Sequence, residues 1–144
     1  MDPDTTRENI RKAGRRAVDL FAEVFDGPEE SRVSPGGDRE SVRRLFADTL
    51  GDGGVGIETA VDDFARLALP HSMRTPHPLY LGLVNTSPLP AAVLGDLLVS
   101  TLNNNGGAFR QGPAMWGAEQ AVLGEFARLL GLEGAHGMFL PGGS

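Results

Sequence analysis

Three small residues at the end of the printed sequence have the clearest chemical meaning. A short apolar run, residues 137–141 (GMFLP), precedes Gly142, Gly143 and Ser144. Such a run between glycine and proline is typical of a buried strand. Glycine has no Cβ, so a Gly-Gly-Ser turn after a strand lets backbone N–H groups approach a phosphate closely. The pattern predicts the first residues of a phosphate-binding turn, and hence a piece of a larger catalytic unit. On these three residues alone, a flexible tail or linker is the more usual explanation.

Lys12 is the only lysine in the sequence. Chemistry that needs a lysine amine must therefore use Lys12 or borrow a lysine from another chain. Its neighbours Arg11, Arg15 and Arg16 form a charged patch with it. This setting predicts a solvated surface residue.

The other residues that could take part in binding or catalysis are isolated in the sequence. His71, His77 and His136 lack the close spacing that zinc ligands usually have. Because His77 stands between two prolines, we expect a hydrogen-bonded structural histidine. A glycine-rich loop carries three further candidates for ligand contact: Phe109, Arg110 and Gln111. Phe109 could equally be packed in the core.

Composition excludes several classes of protein. A formal net charge of −6 argues against nucleic-acid binding. The absence of cysteine excludes a disulfide scaffold and a thiol nucleophile. The most apolar stretch, residues 89–102, is too short to span a bilayer and contains Asp96. No signal peptide is visible, so we expect a cytoplasmic protein.

The elements that must position these residues are mainly helical. Apolar spacing predicts five helices: one from the capping-box pattern at residues 5–8 to Gly27, and others over 39–50, 57–69, 90–102 and 113–130. Pro90 has the character of a first helical residue, and Gly131 that of a C-terminal cap. The fourth helix is apolar on all faces, which indicates a buried helix. With the strand at 137–141, the fold class is mainly α with one short strand.

Order and spacing of several segments resemble a known family. The segments are residues 75–88 (TPHPLYLGLVNTSP), 93–103 (VLGDLLVSTLN), 112–119, 129–132 (LLGL) and 137–144 (GMFLPGGS). Together they look like the start of the large domain of the group II amino-acid decarboxylases, which depend on pyridoxal phosphate. Residues 33–35 and 69–71 resemble the helical N-terminal part of the same family. The resemblance covers nearly the whole chain but only the first third or so of such an enzyme.

The resemblance implies a fold and a set of site residues. It implies the N-terminal part of an α/β fold-type I transferase-like enzyme, with residues 1–74 as a helical segment and 75–144 as the start of the cofactor-binding domain. Gly143 and Ser144 would begin the turn that binds the cofactor phosphate. Tyr80, Thr86 and Phe109 would border the substrate pocket. No catalytic residue is expected in this chain, because the family places the Schiff-base lysine further along.

The resemblance also implies partners. A complementary chain would supply the lysine, and pairs of such units would form the active sites. The reaction would be decarboxylation of an L-amino acid, or a variant such as decarboxylative oxidation or C–C lysis. The alternative is a non-catalytic helical interaction module.

Overall fold

The computed structural model describes residues 6–27, 31–47, 49 and 53–140, and every regular element in these ranges is helical. Helix α1 spans Arg7–Phe25. Its N-cap is Thr6, whose hydroxyl accepts a hydrogen bond from the Asn9 N–H at 3.1 Å. This bond satisfies one of the donors that a helix leaves unpaired at its start. The helix ends before Gly27, as the sequence predicts.

Helix α2 (Arg39–Leu45) is shorter than the predicted 39–50. Asp38 caps its start, since one carboxylate oxygen accepts the N–H groups of Glu40 and Ser41, each at 3.0 Å. None of its residues is buried. Without a packed face, only local propensity supports such a helix, and short helices of that kind are marginal.

Helix α3 (Ile57–Asp63) continues as a π-helical turn over Phe64–Ala68 and a 3₁₀ turn over Leu69–His71. The predicted single helix over 57–69 is therefore uneven. In the wide turn the Leu69 N–H donates to the Phe64 carbonyl, five residues earlier. Pro70 follows directly, and a proline ring in regular α-helix would clash with the carbonyl four residues before it. The change of pitch accommodates the proline.

The last two helices agree closely with the sequence prediction. Helix α4 spans Pro90–Leu102, with Pro90 at its first position, and helix α5 spans Pro113–Leu129. Asn103 ends α4 in a left-handed conformation with φ of 46°. Gly131, with φ of 66°, follows α5 in the same region of backbone space, which glycine enters without strain.

The predicted strand is wrong for the part that is described. Residues 137–140 form no strand, and Met138, Phe139 and Leu140 are exposed rather than buried. A strand needs a neighbour to satisfy its backbone groups. The described residues provide no second strand.

The chain divides into two compact units, residues 1–88 and 89–144. The first has a small core where α1 packs against α3, and the buried apolar residues of the described chain all belong to it: Ala13, Leu20 and Leu67. The second has no buried hydrophobic residue in its described part. The predicted domain boundary at 74/75 concerns a larger enzyme and stays a prediction.

The prediction that α4 is buried is wrong for this chain. Leu97 is 57% exposed and Leu98 is 67% exposed, and no residue of the helix is buried. The prediction assumed that a second layer covers the helix. The described part of the second unit provides no such layer.

Candidate functional site

Tyr80 lies in the loop that follows His77 in the first unit. Its hydroxyl donates to the side-chain oxygen of Asn85 at 2.6 Å, which ties residues 80 and 85 together. Leu83, between them, has φ of 63°. A bulky residue seldom adopts this left-handed region, and the conformation is strained. Thr86 lies just beyond the bond and is exposed.

His77 fixes the start of this loop. It is only 7% exposed, and its Nδ1 atom accepts the Leu79 N–H at 3.0 Å. Because Nδ1 is the acceptor, the neutral ring carries its proton on Nε2. The His77 carbonyl accepts the Tyr80 N–H at 2.9 Å. The prediction of a hydrogen-bonded structural histidine is confirmed.

Phe109 lies in a short 3₁₀ turn, Phe109–Gln111, immediately before α5. Its ring meets Trp116 edge to face, with centroids 5.3 Å apart and ring planes at 89°. This is a favourable aromatic geometry that leaves Phe109 59% exposed. The Phe109 side chain is therefore supported on one side and open on the other.

The backbone before α5 is held by close contacts. The side-chain oxygen of Asn105 accepts the Gly107 N–H at 2.8 Å. A Cβ at Gly112 would stand 3.1 Å from the Asn105 carbonyl oxygen, so a larger residue there would press on that backbone. Arg110 and Gln111 are exposed on the same turn.

Glu119 has a role that the sequence did not reveal. The sequence suggests a cap or an ion pair within its own helix, but its carboxylate accepts the Phe139 N–H at 2.8 Å. The Phe139 ring packs edge-on against Phe126, with centroids 6.3 Å apart. These contacts hold the segment before the Gly-Gly-Ser residues on α5. They join residues twenty apart, which a local pattern cannot indicate.

The predicted site residues are distributed as follows. Tyr80 and Thr86 belong to the first unit and Phe109 to the second. Gly143 and Ser144, the predicted phosphate-turn residues, lie outside the described residues.

Comparison with known proteins finds similarity to a curated protein. The chain is 36% identical over 96 residues to a glutamate decarboxylase-like protein of Gibberella zeae. The similarity is to a decarboxylase-like protein. The match covers 65% of this chain but 18% of the relative, so the chain spans about a fifth of that protein's length. No family model matches the chain, and no solved structure matches it.

Lys12 is engaged elsewhere on the surface. Its ammonium pairs with the Glu58 carboxylate between α1 and α3, and its side chain is 71% exposed. The hydrogen bond that the Lys12 ammonium donates to Glu58, and then the negative charge of Glu58, raise the pKa of Lys12 above its ordinary value. A protonated amine is a poor nucleophile. The prediction that Lys12 is a surface residue is confirmed.

The part of the chain that the structure describes contains neither a cluster of metal ligands nor a membrane-spanning helix. Over residues 6–27, 31–47, 49 and 53–140, no three histidine, aspartate or glutamate side chains cluster as metal ligands. Within the same ranges no helix is both long and apolar enough to cross a bilayer.

Proposed function

We propose that this chain is the N-terminal portion of a pyridoxal-phosphate-dependent L-amino-acid decarboxylase. The observation that carries the proposal is the 36% identity to a glutamate decarboxylase-like protein over 96 residues. That match covers about two-thirds of the chain and a fifth of the relative. Most of such an enzyme would therefore come from sequence outside these 144 residues.

Exposed apolar helices support the requirement for a complementary chain. The surface of α4 and α5 carries ten large exposed apolar side chains: Leu94, Leu97, Leu98, Val99, Leu102, Trp116, Val122, Phe126, Leu129 and Leu130. Covering one such side chain stabilises an assembly by about 1.5–3 kcal/mol. Patches of this kind mark interaction surfaces in proteins that work as part of an assembly. A complementary decarboxylase chain is the proposed cover, with pairs of such units building the active sites.

The cofactor would be held mainly by residues outside this chain. Bound pyridoxal phosphate supplies the electron-withdrawing ring that makes loss of the substrate carboxylate feasible. The described residues do not form a complete site for it, because the only lysine is paired with Glu58. Gly143 and Ser144 remain the proposed contribution to phosphate binding.

In this proposal the chain's own residues shape the substrate pocket. The Tyr80 hydroxyl is oriented by Asn85, which holds the ring in one position. Thr86 lies next to this bond and offers a hydroxyl for a polar contact with substrate. Phe109, backed by Trp116, offers an apolar face that excludes water. These roles are positioning and desolvation, with no proton transfer assigned to any of the three.

Reconstitution tests the proposal. The chain is mixed with candidate C-terminal decarboxylase polypeptides and pyridoxal phosphate, and carbon dioxide release from a panel of L-amino acids is measured together with the visible absorption of bound cofactor. We expect both signals only in a mixture. Lys12→Met is the control that should leave both signals unchanged. Oxygen consumption or aldehyde formation would identify decarboxylative oxidation or C–C lysis instead.

A helical interaction module is the rival function, because exposed apolar helices would serve it equally well. Such a module would bind a partner without binding pyridoxal phosphate. Stable complexes that never acquire the cofactor absorption, with every decarboxylase polypeptide tried, would favour the module.

A further inference from the structure

A small polar cleft lies in the first unit, and its lining residues precede the loop of Tyr80 along the chain. It has a volume of about 200 Å³ and is lined by Ser31, Arg32, Pro35, Leu69, Pro70, Ser72 and Arg74. Two guanidinium groups and two hydroxyls thus line one cleft in a protein whose net charge is −6. Among the residues that the structure describes, no carboxylate lines it.

Arg74 is the ordered member of this group. Its backbone N–H donates to the Val33 carbonyl at 2.9 Å, and its side-chain Nη1 atom donates to the Ser31 hydroxyl at 3.2 Å. The residue is half-buried. In the described part of the chain it has no carboxylate partner within salt-bridge distance, and neither does Arg32. A half-buried guanidinium with unused donors is suited to an oxyanion, because its planar fork matches two oxygens at once.

Gly27 leaves room for this arginine. A Cβ at position 27 would stand 2.6 Å from Arg74 Nη1, closer than real contacts allow. The absence of a side chain at the end of α1 therefore lets the guanidinium lie there. The contacts that hold Arg74 come from residues 31–33.

The hydroxyl groups of Ser31 and Ser72 differ in the hydrogen bonds that they can offer a ligand. Ser31 accepts a bond from Arg74, so its own proton is available to a ligand. The Ser72 hydroxyl already donates to the Ala68 carbonyl at 2.8 Å, so it presents only lone pairs. Glu23 lines the adjoining cleft with Arg74 and pairs with Arg16 at 3.4 Å. The cleft itself thus offers cationic and donor groups to an anion.

We propose that this cleft binds a phosphoryl group, either inorganic phosphate or the head of a small phosphomonoester, with Arg74 and Arg32 as its cationic contacts and Ser31 as a donor. The cleft has a volume of about 200 Å³, which is several times the roughly 30 Å³ that one water occupies in the liquid. It therefore accommodates one tetrahedral anion with part of its hydration. The site is separate from the proposed phosphate turn at Gly143 and Ser144, and it does not depend on the decarboxylase assignment.

Hydrogen exchange of the full chain, followed by mass spectrometry, tests the proposal. Inorganic phosphate and glycerol 3-phosphate are titrated separately, each against sodium chloride at matched ionic strength. We expect either phosphate species to slow exchange in residues 31–35 and 69–74. The species that acts at lower concentration identifies whether the site takes free phosphate or a phosphomonoester.

Variants separate a specific site from general charge attraction. Arg74→Lys keeps the charge but loses the fork, so we expect the phosphate concentration for half-protection to rise about tenfold, which is the usual loss for one charge-assisted hydrogen bond. Gly27→Ala displaces the same guanidinium and should raise the phosphate concentration for half-protection several-fold. The matched control is Arg11→Gln on the outer face of α1, which should change nothing. Equal protection by chloride, equal loss in Arg11→Gln, or no protection by either phosphate species overturns the proposal.

Discussion

The Tyr80 hydroxyl and the Asn85 side chain are joined by a 2.6 Å hydrogen bond across a loop in which Leu83 adopts a left-handed conformation. The bond length is ordinary for an O–H donor, and the bond closes a six-residue loop, residues 80–85. The apolar side chains of this loop point into solvent, with Val84 fully exposed. In the proposed decarboxylase, this uncovered loop would be a pocket wall whose other side belongs to another chain.

Tyr80→Phe should lower kcat/KM of the reconstituted enzyme about tenfold, because losing one hydrogen bond frees the ring and the loop. Asn85→Ala removes the same bond from the other side and should have a similar effect. The double variant should lose little more than either single one, since the two residues act as a unit. Additive losses in the steady-state kinetics would contradict the shared role.

Gly112→Ala should destabilise the second unit by about 1–2 kcal/mol, since its Cβ would press on the Asn105 backbone at 3.1 Å. Gly117→Ala is the matched control, because nothing lies within 4 Å of a Cβ there. Alanine in an exposed helix should stabilise α5 by up to about 1 kcal/mol. Urea unfolding followed by circular dichroism measures both. The same sign of change for both variants would refute the steric argument.

Acid should weaken α2. The Asp38 carboxylate accepts bonds from the Ser41 side chain and from backbone N–H groups, which lowers the pKa of Asp38 below 3.8. A depressed folded-state pKa means that the cap contributes stability above the unfolded value and loses it as pH falls through the folded value. Carboxyl NMR should therefore show Asp38 titrating below an unstructured aspartate. Asp38→Ala should reduce the pH dependence of α2 helicity in this range, whereas Asp38→Asn should retain a pH-independent cap. The remaining dependence should come from Glu40, because the hydrogen bond from Arg43 also lowers the pKa of Glu40.

Leu97→Glu should abolish binding of the complementary chain while leaving the helical content of this chain unchanged. Leu97 is already exposed in the chain, so the substitution costs little there. In an assembly the same carboxylate would be buried without a partner, which is strongly unfavourable. Pull-down and circular dichroism give the two readouts. Undiminished binding of Leu97→Glu would show that α4 is not the contact.

Local signals explain which elements were predictable. Pro90, Asn103 and Gly131 mark helix ends through backbone preferences that act within a few residues, so the bounds of α4 and α5 follow from the sequence. The early end of α2 depends on the absence of a packed face, which only a structure reveals. The strand expected at 137–141 rests on composition, and composition does not supply a pairing neighbour.

The candidate site was predictable to a smaller extent. The role of His77 followed from its position between two prolines, which restrict the backbone locally. The bond from Phe139 to Glu119 links positions twenty apart, and the fit of Gly27 to Arg74 links segments that are more distant still. Such contacts depend on tertiary folding. The substrate roles of Tyr80, Thr86 and Phe109, and the phosphate role of Gly143 and Ser144, stay predictions.

The pairing of Lys12 with Glu58 has a practical outcome. Among side chains, an amine-selective dye has a single target in this molecule, on the face of α1 that meets α3. Because Glu58 keeps that amine protonated, Glu58→Gln should accelerate the labelling at mildly alkaline pH. The chain thus carries a built-in, tunable attachment point for fluorescence reporters of assembly.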